Sequence, residues 1–182
     1  MLTDLQRTKI ERRFQALDHD GDGFLEQSDY AGLAADLAER LGRADPAAMR
    51  RVHDAYLGIW EAIRRGADTD DDGRVDLAEF TAALEKGVIG RDGGFDRAIL
   101  PSVLAVLDFA DLDGDGYIDA IEFHRWYVGP DRPQQDAEAV FARLDTDGDG
   151  RLSKEELTAA MREFYCGTDP NAPGNDLYGR LT

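Results

Sequence analysis

A single cysteine, Cys166, excludes an intramolecular disulfide framework, and no Cys/His group has the spacing of a zinc site. Long apolar runs are also missing, since no stretch approaches the roughly 20 residues of a membrane-spanning helix. The stretch Met1–Glu11 lacks the apolar segment of a secretory signal, and Leu2 stands where myristoylation requires glycine. A cytoplasmic protein is expected. Positive charge is scarce as well: 21 Lys and Arg against 38 Asp and Glu give -17 over 182 residues. That balance disfavours nucleic acid, whose phosphates seek a basic face, and docking to an anionic membrane. The 42% hydrophobic content is nonetheless enough for one compact domain or two small lobes.

The acidic residues are not spread evenly. Four twelve-residue segments, DHDGDGFLEQSD from Asp18, DTDDDGRVDLAE from Asp68, DLDGDGYIDAIE from Asp111 and DTDGDGRLSKEE from Asp145, share one frame. They hold 21 of the 38 acidic residues and only Arg74, Arg151 and Lys154 of the basic ones, which leaves them at -18 and the rest of the chain near neutral. A merely solubilising surface would distribute its carboxylates. Like charges crowded into short loops repel one another, so the pattern calls for a counter-charge, and a hard divalent cation supplies it.

Calcium takes six to eight oxygen ligands, and a loop of this length offers them from positions 1, 3, 5, 7, 9 and 12, with glycine at 6 for the sharp turn. Positions 1, 3 and 5 are Asp18, Asp20 and Asp22; Asp68, Asp70 and Asp72; Asp111, Asp113 and Asp115; and Asp145, Asp147 and Asp149. Position 6 is Gly23, Gly73, Gly116 or Gly150. Position 7 would contribute its carbonyl, so Phe24, Arg74, Tyr117 and Arg151 are all admissible there, and position 9 is Glu26, Asp76, Asp119 or Ser153. Glu79, Glu122 and Glu156 at position 12 have the reach for bidentate coordination, whereas the first loop ends in the shorter Asp29. That loop is expected to bind calcium more weakly or to accept magnesium, whose octahedral shell needs fewer carboxylate oxygens. Up to four calcium ions follow from the four loops.

Apolar residues at helical spacing flank every loop. Ile10, Phe14 and Leu17, then Trp60, Ile63 and Ala67, then Val103, Leu107 and Ala110, then Ala137, Val140 and Leu144 precede the four in turn. Tyr30, Phe80, Phe123 and Leu157 follow position 12. Position 8 is Leu25, Val75, Ile118 or Leu152, apolar as needed if loops pair through a short strand. Gly87, Gly90, Gly93 and Gly94 read as a hinge. An all-α fold is therefore expected, with four helix-loop-helix units in two paired lobes packed into one compact globule. The lobes are residues 1–90, with loops 18–29 and 68–79, and residues 91–182, with loops 111–122 and 145–156 and a tail over 167–182.

With these loops and flanks, the chain resembles the EF-hand superfamily, and its uneven spacing and length look most like the sarcoplasmic calcium-binding proteins and the bacterial calerythrin group. The resemblance implies a globular α-helical protein with paired EF-hands, acting in cytosolic calcium buffering or signalling. Every loop here retains its Asp triad and glycine.

The tail carries Leu177, Tyr178 and Leu181 among its prolines and glycines, and is expected to fold back over an apolar cleft. Target grooves that accept many helices favour methionine, and Met1, Met49 and Met161 are too few for one. The leading expectation is thus a monomeric calcium buffer; the alternative is a sensor whose cleft opens to a dedicated target. No catalytic constellation is found: His19, His53 and His124 are scattered, and Cys166 has no nearby histidine to activate it.

Overall fold

Helix starts are written into the sequence as caps. The Thr3 hydroxyl accepts from the Gln6 amide at 3.2 Å while the Gln6 side chain accepts from the Thr3 amide at 3.0 Å, and this reciprocal box opens α1 (Asp4–Leu17). The same device opens α4 (Leu77–Leu84) at Asp76, α7 (Ala120–Tyr127) at Asp119 and α9 (Lys154–Cys166) at Ser153. The remaining α-helices among the described residues are α2 (Gln27–Arg40), α3 (Pro46–Ala67), α5 (Gly94–Ala98), α6 (Leu100–Ala110) and α8 (Gln134–Leu144). This computed structural model describes residues 1–42, 45–128 and 134–179. Leu181 of the tail lies outside them. No helix among the described residues is long and apolar enough to cross a membrane.

The strands are two residues long and sit inside the acidic loops. β1 (Phe24–Leu25) pairs antiparallel with β2 (Val75–Asp76), with Leu25 opposite Val75, and β3 (Tyr117–Ile118) pairs with β4 (Leu152–Ser153), with Ile118 opposite Leu152. All four of these apolar residues are buried. Each ribbon thus turns its apolar position-8 residues into the core and anchors the back of both loops there, which couples the first loop to the second and the third to the fourth.

The flanking helices turn their apolar faces inward to one continuous core running from Leu2 to Tyr178. Aromatic pairs mark the seams: Phe14 meets Phe80 edge-on at 5.8 Å between α1 and α4, and Phe123 meets Phe141 at 5.5 Å between α7 and α8. The two ribbon pairs pack on each other through α1 against α9, α3 against α6 and α2 against α7. Truncating Phe14, which is 5% exposed, would cost about 3–5 kcal/mol by cavity formation.

The glycine-rich segment expected as a hinge is packed against its own backbone at Gly94. A π-helical turn over Glu85–Ile89 is followed by Gly93 at φ 63°, and a Cβ on Gly94 would lie 2.5 Å from the carbonyl oxygens of Gly87 and Val88. Here glycine serves close backbone approach. Past α9 the chain does fold back, through a 3-10 turn at Pro173–Asp176 that packs on α8 and α9. Leu177 is fully buried, and the Arg13 guanidinium of α1 lies 4.2 Å over the Tyr178 ring, so the tail touches the amino-terminal half as well.

Candidate functional site

Each acidic loop begins where a helix ends. The amides of Asp18, Asp68, Asp111 and Asp145 still bond to the carbonyls four residues back, and the chain then leaves the helix. Two left-handed residues shape the turn that follows. Position 6 is glycine at φ between 84° and 89° in all four loops; position 4 is Gly21, Gly114 or Gly148 in three, and Asp71 at φ 60° in the second. In this conformation the backbone amides point inward at the first carboxylate: Gly21 and Asp22 donate to Asp18 Oδ1 at 2.9 and 3.1 Å, and Gly23 donates to Oδ2 at 3.0 Å. The amides of Gly73, Gly116 and Gly150 make the corresponding bond to Asp68, Asp111 and Asp145.

The result is four tight groups of carboxylate oxygens. Asp18, Asp20 and Asp22 form one, Asp68, Asp70 and Asp72 the second, Asp111, Asp113 and Glu122 the third, and Asp145, Asp147 and Glu156 the fourth, with one ligand oxygen from each member lying within 4.8 Å of the others. Asp29 and Glu79 are not among those closest oxygens, and neither are Asp115 and Asp149. Position 9 has a second task, because the side chains of Asp76, Asp119 and Ser153 cap the exiting helices by accepting the position-12 amide. Oxygen-only donor sets of this density suit calcium or magnesium, not a soft metal. In the second loop the buried Asp68 Oδ1 has no hydrogen-bond partner, an orphan that a cation at this place would satisfy. The residues present fit the ion.

The carboxylate at position 12 closes each loop on its own start. Its two oxygens accept the amides of positions 2 and 9: His19 and Glu26 for Asp29, Thr69 and Asp76 for Glu79, Leu112 and Asp119 for Glu122, Thr146 and Ser153 for Glu156. Asp29 does this with the shorter side chain and is buried, at 3% exposure. Burial pushes its carboxyl up from the ordinary value, against the pull of the amides of Glu26, His19 and Asp20. Glu79 moves the other way, held down by the Thr69 hydroxyl and amide. At Glu156 partial burial works upward, but the amides and hydroxyls of Ser153 and Thr146 outweigh it and draw the carboxyl down to about 2.

Thr69 and Thr146 were not singled out from the sequence, since position 2 carries no ligand; the signal was the recurrence of threonine there in the second and fourth loops. At position 7 the side chains have a task of their own. Arg74 lies 4.3 Å over the Phe24 ring and pairs with Asp72 at 3.3 Å, while Arg151 lies 4.2 Å over Tyr117 and pairs with Asp149 at 3.5 Å. In each ribbon an arginine from one loop therefore stacks on the aromatic residue of the other.

Helix, twelve-residue acidic loop and helix, repeated and joined by ribbons, define an EF-hand protein. The chain matches the family model of an EF-hand domain pair over residues 101–162 and that of an EF hand over residues 10–31 and 66–84. Calerythrin of Saccharopolyspora erythraea is 30% identical, covering 92% of this chain and 96% of its own. The luciferin-binding protein of Renilla reniformis is 28% identical over 95% of this chain and 92% of its own. A sarcoplasmic calcium-binding protein from amphioxus has the same fold, with a TM-score of 0.76 over 99% of both chains at 21% identity. The chain belongs to the EF-hand family of calcium-binding proteins.

Proposed function

We propose that the protein is a cytoplasmic, monomeric calcium buffer or modulator of calcium signals that takes up to four ions. Each ion is held by the side chains at positions 1, 3, 5, 9 and 12 and by the carbonyl of Phe24, Arg74, Tyr117 or Arg151. Four divalent ions would offset much of the -18 that the loops carry. Magnesium competes best in the first loop, where Asp29 is short and its oxygens are already bonded to three amides.

The observation that carries the buffer reading is the inward closure of the helices that flank the loops. The large hydrophobic residues left exposed among the described residues are Met1, Met49, Tyr117 and Ile121, few for a groove that would hold a target helix. The sensor reading draws support from a cavity of about 620 Å³ between the two ribbon pairs, which could widen on calcium binding. Calorimetric titration with calcium, with and without millimolar magnesium, tests the buffer: four calcium equivalents are expected, one of which magnesium displaces. Fewer than three equivalents would refute the four-site assignment.

A further inference from the structure

The cavity between the ribbon pairs has a lining whose charge runs against the rest of the molecule. In a chain of -17 with 38 acidic residues, none of the described residues lining it is acidic, yet Arg13, Arg40, Lys86, Arg91 and Arg97 all contribute. The interior is apolar and aromatic. Along α2 the residues Tyr30, Leu33, Leu37 and Arg40 face it, so it extends about 15 Å, the rise of ten helical residues. Lys86, Arg91 and Arg97 are exposed and stand at its opening beside the link between the ribbon pairs. A volume near 620 Å³ suits one small organic molecule.

One polar group inside lacks what burial demands, and a cation shares the cavity with it. The hydroxyl of Tyr30, a residue with 0% exposure, has no hydrogen-bond partner. The half-buried Arg13 lines the same cavity, its Nε donating to the Tyr165 hydroxyl at 2.8 Å and its guanidinium covering the Tyr178 ring. No carboxylate among the described residues lies within ion-pair distance of Arg13. A half-buried guanidinium with no carboxylate partner among the described residues and an orphaned buried hydroxyl face the same cavity, and one bound carboxylate would satisfy both. Arg40 Nε, also buried without a partner, marks the far end of the same helix face, but Arg40 already gives Nη1 to the Val128 carbonyl at 2.9 Å.

We propose that this cavity is a binding site for an elongated amphipathic carboxylate, with its head on Arg13 and Tyr30 and its apolar body along α2. Lys86, Arg91 and Arg97 attract the anion to the opening, where the acidic loops would otherwise repel it. The site stands apart from calcium buffering and does not depend on that reading.

Binding of decanoate and of 2-naphthylacetate, at micromolar concentration, to the full-length calcium-loaded protein tests this, followed by calorimetry and by fluorescence of Trp60 and Trp126. Decanol and 2-naphthylethanol serve as uncharged controls, and the two acids separate an aliphatic from an aromatic body. At least one acid is expected to bind tenfold or more tightly than its alcohol. Tyr30→Phe, which removes only the unpartnered oxygen and should melt no lower than wild type, is expected to weaken that acid tenfold and leave the alcohol unchanged; Arg13→Met should do the same or more. Absence of binding by both acids, equal binding of acid and alcohol, or acid affinity unmoved by Tyr30→Phe would each overturn the proposal.

Discussion

The first and third loops share features that set each apart from its ribbon partner, and so do the second and fourth. The odd-numbered loops carry an aromatic residue at position 7 and a buried acid at position 12, Asp29 at 3% and Glu122 at 4% exposure. The even-numbered loops carry arginine at position 7 and threonine at position 2, whose hydroxyl meets Glu79 at 2.7 Å or Glu156 at 2.9 Å. The structural repeat is therefore a pair of unlike loops. The stacks of Arg74 on Phe24 and Arg151 on Tyr117 need one member from each kind, so the asymmetry is part of how a ribbon closes.

Both kinds of loop share the repulsion of crowded carboxylates, and the largest effect should appear when the ions that offset it are removed. A site saturated at a thousandfold excess over its Kd adds about 4 kcal/mol, and each kcal/mol moves Tm by about 2–4 °C in a domain of this size. Scanning calorimetry in calcium against chelator should thus show a difference on the order of 10 °C per occupied site. Equal melting temperatures would show that the loops do not couple ion binding to folding.

Asp29→Glu makes the first loop end as the third does. It should raise calcium over magnesium selectivity at that loop about tenfold, or 1.4 kcal/mol, read from competitive calorimetry. The added methylene enters a buried place, so the chelated protein should lose about 1–3 kcal/mol in denaturant unfolding.

Acid titration separates the first loop from the fourth by sign. The Glu156 carboxyl is held at about 2 against an ordinary 4.5, so its stabilisation is complete above pH 4.5 and lost as pH falls through about 2. Asp29 is raised above its ordinary 3.8, so its contribution is complete below that value and lost as pH rises through the raised one. In chelated protein, Glu156→Gln should flatten the loss of stability between pH 4.5 and 2, followed by circular dichroism in urea. An unchanged slope would mean that the bonds from Ser153 and Thr146 do not favour the charged form.

The smallest effect belongs to position 4, where the second loop departs from the other three. Asp71 holds φ 60° without glycine's freedom, and Asp71→Gly should stabilise the chelated protein by about 1 kcal/mol or less. A loss of stability would show that the Asp71 side chain supports the turn.

Much of this was legible in the chain. The Asp triads fixed the loops in frame, the apolar residues at helical spacing placed the helices around them, and Leu25, Val75, Ile118 and Leu152 foretold the ribbons. The family resemblance agreed with the relatives found. What was not legible depends on tertiary distance. The stacking of position 7 needs two loops side by side, and the capping work of position 9 shows only once the exiting helix is in place. The packed link at Gly94 reads as a flexible run of glycines until the carbonyls beside it are known. The orphaned Tyr30 hydroxyl looks like any core tyrosine in a helical pattern.

The central claim is that calcium fills the loops while the apolar faces stay closed on one another. Fluorescence of a hydrophobic-surface dye, measured on the chelated and the calcium-saturated protein at equal concentration, tests it most directly. The account predicts that dye binding falls as calcium is added and the helices tighten around the core. Dye binding that rises from a folded chelated state would contradict it and identify a sensor.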